Sequence, residues 1–148
     1  MTAEPGLSKR FEVEGQNFSR AGMISTKIKE ILKEIGIAGP IVRRASIAAY
    51  EAEMNVVMYA LRGFFTLCVT PEKLTLEVND EGPGIADIEL AMQEGYSTAT
   101  DEMREMGFGA GMGLPNIRRN ADCLKISSEP GKGTTLDIFF DLAKAEAT

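Results

Sequence analysis

Two pairs of strand-like segments constrain the fold of this chain more than any other feature. The first pair, 64–69 and 74–78, flanks the turn Thr70-Pro71-Glu72-Lys73, and the second pair, 124–127 and 135–140, flanks a Pro-Gly turn. Both patterns predict β-hairpins. Helical segments precede the first hairpin and separate it from the second. The sequence therefore predicts an α+β fold, in which helices cover one face of a mixed, mostly antiparallel sheet.

The remaining elements follow from hydrophobic periodicity and turn residues. Alternation predicts a short strand at 10–14, and apolar residues recur at helical spacing from 19 to 35. Gly39-Pro40 suits the start of a second helix that runs to about 61. Shorter helices are predicted over 87–94 and 114–120. The 148 residues suit one domain, here 9–142, between a flexible leader at 1–8 and a flexible tail at 143–148.

Composition excludes several classes of function. The formal net charge is −6 and no run of Lys or Arg offsets it, so no binding to nucleic acid or to an anionic membrane is expected. No stretch approaches the ~18 apolar residues of a membrane span, and no secretory signal is visible, which predicts a cytoplasmic protein. The absence of His removes Ser-His-Asp hydrolases, Cys-His proteases and HExxH zinc enzymes. Cys68 and Cys123 lie in apolar runs and are expected to be reduced core residues.

Glu51 and Asn55 lie on the second predicted helix, whose later half is otherwise almost entirely apolar. They are four residues apart, so both side chains share one face, whereas Glu53 points elsewhere. Polar groups on so apolar a helix cost free energy unless something satisfies them. A magnesium ion with its water shell would do so, and so would exposure to solvent as a polar stripe; the helix alone favours neither.

A loop rich in Gly and Pro directly follows the strand at 74–78. Within it, Gly82 and Gly84 permit positive φ and close approach of a ligand to the backbone. The short side chain of Asp80 at the strand end can accept a hydrogen bond from an amine such as that of adenine. Asp and Gly are also common turn residues, so this loop alone does not indicate a site.

Four alternating glycines precede the last predicted helix. They are Gly107, Gly109, Gly111 and Gly113. They end the segment 95–113, which has no periodicity and is longer than most structureless connections, as is typical of a functional lid. A helix that starts near Leu114 would add partial positive charge for phosphate groups. The spacing matches neither a Rossmann fingerprint nor a P-loop, and the alternative is a plain flexible linker.

In chain order, these motifs resemble the GHKL, or Bergerat-fold, ATPase superfamily. The segment 51–55 is similar to its N box, 80–84 to its G1 box and 109–114 to its G2 box, and Gly133-Thr134 is similar to its final Gly-Thr pair. The likeness runs from about residue 11 to 141 and implies a Bergerat-type two-layer sandwich. Chain size and the two predicted N-terminal helices resemble the anti-sigma regulatory factor serine/threonine protein kinases of bacteria. Within that family, the segments 87–89 and 95–98 resemble especially the switch-type kinases of stress pathways, and the sigma-binding type stays open.

This resemblance implies a role for each motif residue. Glu51 would be the general base, and Asn55 would ligate the Mg²⁺ that bridges the phosphates of ATP. Asp80 would accept from the adenine amine, and Thr134 would brace Asp80 or a water beside the base. The other nucleotide-binding positions that the resemblance implies are Gly82, Gly84, Ile85, Gly107, Gly109, Gly111, Gly113 and Leu114.

The family also implies partners. The substrate would be a small anti-sigma antagonist with a STAS domain, a sigma factor or a stress-signalling phosphatase would be a further partner, and the chain would form a homodimer. Two alternatives stay open from the sequence. In one, ATP orders the lid and gates protein binding without phosphoryl transfer. In the other, the chain is a detached histidine-kinase catalytic domain whose phosphoacceptor lies on another chain, since this one has no His.

Overall fold

After the first strand, pairs of helices and pairs of strands follow one another among the described residues, and the strands form a single five-stranded sheet. The computed structural model describes residues 6–85, 87–93 and 113–143. The strands are β1 (Leu7–Glu14), β2 (Arg62–Val69), β3 (Lys73–Asp80), β4 (Cys123–Glu129) and β5 (Gly133–Asp141). The helices are α1 (Met23–Glu34), α2 (Gly39–Tyr59), α3 (Ile88–Ala91) and α4 (Gly113–Asn120), with a 3₁₀ turn at Phe18–Arg20. The strand order is β1-β2-β3-β5-β4.

Both predicted hairpins are present. Val69 pairs with Leu74 across the first turn, where the Thr70 N–H donates to the Lys73 carbonyl at 2.9 Å. In the second hairpin, Glu129 pairs with Gly133. Burial alternates along the strands: every second residue of β2, from 63 to 69, is buried. One face of the sheet therefore lies against the helices and the other is open.

Every strand pairing among the described residues is antiparallel, where the sequence predicted a mixed sheet. β3 and β4 run in the same direction, but β5 lies between them and pairs antiparallel with both. The connection from β3 to β4, which contains α3 and α4, therefore creates no parallel pair. The predicted α+β class, with a sheet covered by helices, is confirmed.

The core lies between α2 and the sheet. Along α2, small residues such as Ala45, Ala48 and Ala52 are almost fully buried, which lets the helix lie close to the strands. The sheet contributes large side chains to the same core, Phe65 and Phe140 among them. The helices α1 and α4 pack on either side of α2. Of the polar side chains of α2, Glu53 is buried in this packing, whereas Arg43 and Tyr50 stay exposed.

Some predicted bounds differ from the observed ones. α1 begins at Met23 rather than near 19, because Gly22 adopts a left-handed conformation (φ 95°) that separates it from the 3₁₀ turn. β1 begins three residues earlier than predicted, and Leu7 pairs with Val69.

Both cysteines are free, but Cys123 is exposed and Cys68 is only partly buried, so neither is the core residue that was predicted. Within the described ranges, no helix combines the length and hydropathy needed to cross a bilayer.

Candidate functional site

The three polar residues of α2 have different surroundings. Glu53 is only 1% exposed, and its carboxylate accepts backbone N–H groups of Gly22 (3.0 Å), Ile24 (3.2 Å) and Ser25 (2.8 Å). These are unpaired donors at the start of α1, where a negative charge is also favourable. Glu53 therefore anchors α1 on α2, a role that the sequence did not reveal because α1 was predicted to begin elsewhere.

Glu51 and Asn55 meet the first residue of α4. A Cβ atom placed on Gly113 would lie 3.3 Å from the Asn55 Oδ1 atom and 3.6 Å from the Glu51 Oε2 atom. Both side chains are partly buried, so they do not form a solvent-facing stripe. The positive dipole end of α4 therefore lies beside a carboxylate and an amide oxygen. This is an arrangement that can hold an anion together with a cation.

The pKa of the Glu51 carboxyl depends on its burial and on a contact with α4. Burial raises the pKa of this carboxyl above its ordinary value, and a side-chain hydrogen bond with Asn116 offsets part of the rise. The Oδ1 atom of Asn116 accepts from Arg119 Nη1 at 3.1 Å, so its amide N–H₂ group is the one available to donate to Glu51. A raised pKa makes a carboxylate a better proton acceptor. The sequence analysis missed Asn116, although it lies one helical turn after Gly113.

Asp80 is held at the end of β3 by backbone donors. Its Oδ1 atom accepts the N–H groups of Gly82 and Thr134, each at 3.1 Å. Burial raises the pKa of this carboxyl, while the bonds from Thr134 and Gly82 act in the opposite direction. Both hydrogen bonds from the described residues end on Oδ1. The Oδ2 atom is therefore the one that can accept from a ligand.

Close packing explains two of the glycines around Asp80. Gly84 has φ 77°, and a Cβ there would lie 2.4 Å from the Glu129 carbonyl oxygen. Gly133 has φ 137°, and its Cβ would lie 2.0 Å from the Asp80 carbonyl oxygen. Both positions combine a left-handed backbone with a steric overlap, so no other residue fits. The loop after β3 therefore rests directly on the turn between β4 and β5.

Thr134 contacts Asp80 through its backbone N–H group rather than through its hydroxyl. The hydroxyl pairs instead with that of Ser128, at an Oγ–Oγ1 distance of 2.9 Å. Ser128 also accepts the backbone N–H of Ile85 at 2.6 Å. Ser128 was not among the predicted residues, because its partners lie 43 and 6 residues away along the chain.

The two clusters lie along one helix. Beyond Asn55, α2 ends at Tyr59, and a Cβ on Gly82 would lie 3.3 Å from the Ala60 Cα atom. The Leu61 N–H also donates to the Glu81 carbonyl at 3.0 Å. The rise of an α-helix places Glu51 and Ala60 about 14 Å apart along the axis. The carboxylate, the amide and the Asp80 loop therefore follow one another along α2.

The structure places most of the predicted site residues in these two groups. The first group contains Glu51, Asn55 and Gly113. The second group contains Asp80, Gly82, Gly84, Ile85 and Thr134. Leu114 is partly buried and packs against the core from α4. Three of the predicted glycines, Gly107, Gly109 and Gly111, lie outside the described residues.

The side chains near α4 suit a magnesium ion that keeps part of its water shell. They do not suit a metal ion that is coordinated by protein ligands alone. Among residues 6–85, 87–93 and 113–143, no group of three or more His, Cys, Asp or Glu side chains could hold a metal ion. Magnesium usually keeps several waters and takes only one or two protein oxygens beside substrate phosphates. The Asn55 Oδ1 atom, at the start of α4, is an oxygen of the right kind in the right place.

Comparison with known proteins identifies relatives of this chain. Residues 41–144 match the family described as histidine kinase-, DNA gyrase B-, and HSP90-like ATPase. An anti-sigma F factor of Caldanaerobacter subterraneus is 35% identical over 114 residues, which cover 77% of this chain and 72% of the relative. The serine/threonine-protein kinase RsbT of Bacillus subtilis is 30% identical over 112 residues, 73% of this chain and 78% of the relative. An anti-sigma F factor of Clostridium acetobutylicum is 32% identical over 130 residues, 83% and 82% of the two chains.

Proposed function

The chain belongs to the histidine kinase-, DNA gyrase B- and HSP90-like ATPase family and, within it, to the anti-sigma regulatory serine/threonine kinases; from this premise we propose that it phosphorylates a protein with a STAS domain. The observation that carries the proposal is the meeting of Glu51 and Asn55 with the first residue of α4. This contact supports a site in which a base and a metal-ligating amide border the phosphates of ATP.

Glu51 serves as the general base. Its carboxylate takes the proton of the serine or threonine hydroxyl as that oxygen attacks the γ-phosphorus and the bond to the leaving ADP oxygen breaks. Burial raises the pKa of Glu51 and strengthens it as an acceptor, while the Asn116 amide orients the carboxylate and keeps it ionised. Phosphoryl transfer depends mainly on such positioning, because the protein itself forms no covalent bond.

The phosphates lie between Asn55 and the start of α4. The Asn55 Oδ1 atom would hold Mg²⁺, which when bound neutralises charge on the phosphate oxygens. The backbone N–H groups of Gly113 and Leu114, at the start of α4, would donate to the same phosphates. Gly113 has no side chain, so the phosphates can approach both Asn55 and the helix backbone closely. The predicted lid glycines, Gly107, Gly109 and Gly111, would complete the enclosure.

The base of the nucleotide lies beside Asp80. Its Oδ2 atom accepts from the exocyclic amine of adenine, while Oδ1 stays bound to Gly82 and Thr134. Guanine carries a carbonyl oxygen in place of that amine and would oppose the carboxylate. The site therefore selects ATP over GTP, with Gly82, Gly84 and Ile85 forming the loop that borders the base.

The proposal extends to the partners. The relatives named anti-sigma F factor support a partner-switching role, in which phosphorylation of the STAS-domain protein changes what this kinase binds. A sigma factor or a stress-signalling phosphatase is a further partner, and the chain acts as a homodimer. Because the reaction consumes ATP and its substrate is an intracellular regulator, we place the activity in the cytoplasm.

Phosphoryl transfer from isotopically labelled ATP tests the proposal directly. The full chain is incubated with Mg²⁺, labelled ATP and a STAS-domain protein from the same organism. Label should appear on that protein and should survive acid, as phosphoserine and phosphothreonine do. Glu51→Gln should lower the rate by about 10²–10⁴, the usual contribution of a general base. Glu77→Gln, a change of the same kind on the exposed face of β3, should leave the rate unchanged.

Three outcomes would contradict the proposal. Label that is lost in acid would favour a histidine-kinase catalytic domain. Nucleotide-dependent binding of the partner with no phosphoprotein formed would favour an ATP-gated binding module. A Glu51→Gln protein that still transfers phosphate at the original rate would remove Glu51 as the base, even if the kinase assignment survived.

A further inference from the structure

Ser128 connects three parts of the nucleotide-base site. Its Oγ atom lies 2.6 Å from the backbone nitrogen of Ile85, 2.9 Å from the Thr134 hydroxyl and 3.1 Å from the Gly133 carbonyl oxygen. Ile85 lies in the loop that follows Asp80, and Thr134 holds Asp80 through its backbone N–H. One side chain on β4 is therefore bonded both to the loop and to the strand that support the Asp80 carboxylate.

The directions of these hydrogen bonds follow from their chemistry. The Ile85 N–H can only donate and the Gly133 carbonyl can only accept, whereas a hydroxyl has a single proton. All three contacts are hydrogen bonds only if Ser128 gives its proton to Gly133 and accepts one from Thr134. The Thr134 proton is then directed at Ser128. For any further partner, the Thr134 oxygen offers only lone pairs.

We propose that Ser128 is a positioning residue of the nucleotide-base site, where it holds Ile85 in the loop after β3 and directs the Thr134 hydroxyl to act as a hydrogen-bond acceptor. This inference rests on the proposed function, because it concerns the same ATP site. With the Thr134 proton directed at Ser128, both polar groups beside the base, the Asp80 carboxylate and the Thr134 oxygen, are acceptors. Such a pair favours the amine edge of adenine, or a water that donates to both, and disfavours the carbonyl edge of guanine.

The loop is also fastened by Ser128. Besides the bond from Ile85 to Ser128, the loop forms a second hydrogen bond in this region: the Gly131 N–H of the β4–β5 turn donates to the Pro83 carbonyl at 2.7 Å. Removal of the Ser128 hydroxyl leaves the Ile85 N–H without its acceptor, and the Thr134 proton without the partner that directs it. Among the described residues, the loop then loses one of its two hydrogen bonds to β4 and the β4–β5 turn, and Thr134 can turn its proton toward the nucleobase.

Two neighbouring serines allow a matched experiment. Ser128 is partly buried on the site side of β4, whereas Ser127 is exposed on the opposite face. The dissociation constants of ATP and GTP with Mg²⁺ are measured by titration calorimetry for the full chain and for both alanine variants. Ser128→Ala should weaken ATP binding about tenfold, the effect expected of one lost hydrogen bond, and GTP binding less. The preference for ATP should therefore fall, while Ser127→Ala should change neither constant.

A second readout does not depend on nucleotide binding. In the ¹H–¹⁵N spectrum of the chain alone, the Ile85 amide proton should move upfield in Ser128→Ala and stay in place in Ser127→Ala. Ser128→Thr, which keeps a hydroxyl, should restore both the Ile85 shift and the preference for ATP. A Ser128→Ala protein with the original ratio of GTP to ATP dissociation constants would overturn the inference.

The two proposals fail in different ways. If the unaltered chain binds neither nucleotide, the proposed function fails, and the Ile85 shift still decides whether Ser128 holds the loop. If the unaltered chain binds ATP and phosphorylates its partner while Ser128→Ala keeps the same preference and the same Ile85 shift, only the role of Ser128 is overturned.

Discussion

At the scale of single residues, the site depends on side chains that orient other side chains. Glu51 and Asp80 are the groups that would touch substrate, yet each is partly buried with a raised pKa and is bonded to other groups of the chain. Asn116 acts on Glu51, and the backbone N–H groups of Gly82 and Thr134 act on Asp80. A carboxylate fixed in this way loses little entropy when a ligand binds.

Substitution of Asn116 tests this coupling through the pKa of Glu51. The Asn116 hydrogen bond stabilises the ionised carboxylate, so Asn116→Ala should raise the pKa of Glu51 further. At a given pH below neutrality, a smaller fraction of the Glu51 carboxyl is then ionised. The acid limb of the pH–rate profile should therefore move to higher pH. The side-chain ¹³C shift of Glu51, followed through a pH titration, measures the change without substrate.

Asn120→Ala provides the control for this change. Asn120 lies on the same helix, and its side-chain amide donates to the backbone carbonyl of Asn116 at 2.8 Å. Removal of the Asn120 side chain therefore leaves the Asn116 side chain in place. The pKa of Glu51 should then be unaltered. An Asn116→Ala protein whose Glu51 titrates as in the original chain would show that burial alone sets this pKa.

At the scale of secondary-structure elements, two polar anchors fix the helices around α2. Glu53 binds the start of α1, and Arg44 binds the end of α4. Helices this short obtain most of their stability from tertiary contacts rather than from intrinsic propensity. The site between α2 and α4 therefore depends on groups that never touch the nucleotide.

Loss of the Glu53 anchor should be costly. Glu53→Ala leaves three backbone donors at the start of α1 without their acceptor, and should lower the free energy of unfolding by about 3 kcal/mol. Glu53→Gln keeps one acceptor oxygen and should cost about half as much. Glu34→Ala, at the exposed end of α1, should change stability by less than about 0.5 kcal/mol. Urea denaturation measures all three, and equal stabilities for the Glu53 and Glu34 variants would refute the anchor.

Arg44 provides the corresponding test for α4. Its guanidinium donates to the Asn120 carbonyl at 2.7 Å and to Asp122 at 2.9 Å, and lies 5.6 Å from the centre of the Phe140 ring. Arg44→Ala should lower the free energy of unfolding by about 1–2 kcal/mol, with the loss of one backbone bond and one partly exposed ion pair. Arg43→Ala, the adjacent exposed arginine, should have almost no effect in the same thermal or urea denaturation experiment. Similar losses of unfolding free energy for the two variants would argue against Arg44 as an anchor of α4.

At the scale of the whole molecule, the sheet and α2 form a rigid base on which the site is assembled from distant parts of the chain. β3 and β5 are adjacent, so Asp80 and Thr134 meet although 54 residues separate them. α4 returns to α2 and brings Gly113 to Glu51 and Asn55. A nucleotide bound along α2 would contact all of these segments at once, and should therefore stabilise the fold as a unit.

Thermal unfolding with nucleotide tests this expectation. At a concentration of Mg²⁺-ATP about 100-fold above its dissociation constant, binding should add about 2.7 kcal/mol, which raises Tm by roughly 5–10 °C for a domain of this size. Glu51→Gln should keep most of this shift, because the proposed base acts on the incoming hydroxyl. Asn55→Ala should lose most of it, because the proposed Mg²⁺ ligand is gone. Equal shifts in both variants would contradict the division of roles between Glu51 and Asn55.

The sequence by itself determined what is local. The spacing of Glu51 and Asn55 places them on one helical face, the turns at 70–73 and 129–133 set the two hairpins, and Asp80 follows a strand directly into a glycine loop. Each of these follows from the geometry of a helix, a hairpin or a turn, which neighbouring residues impose on one another. For the same reason, the family resemblance was visible in short motifs.

Only the tertiary structure decided which distant groups meet. Glu53 reaches Ser25 across 28 residues and Ile85 reaches Ser128 across 43. The antiparallel character of the whole sheet likewise depends on β5 lying between β3 and β4. No periodicity encodes such pairings, because a hydrogen bond between distant residues forms only after the core between α2 and the sheet has brought the elements together. Asn116 and Ser128, which contact the proposed site residues from distant segments, belong to this second group.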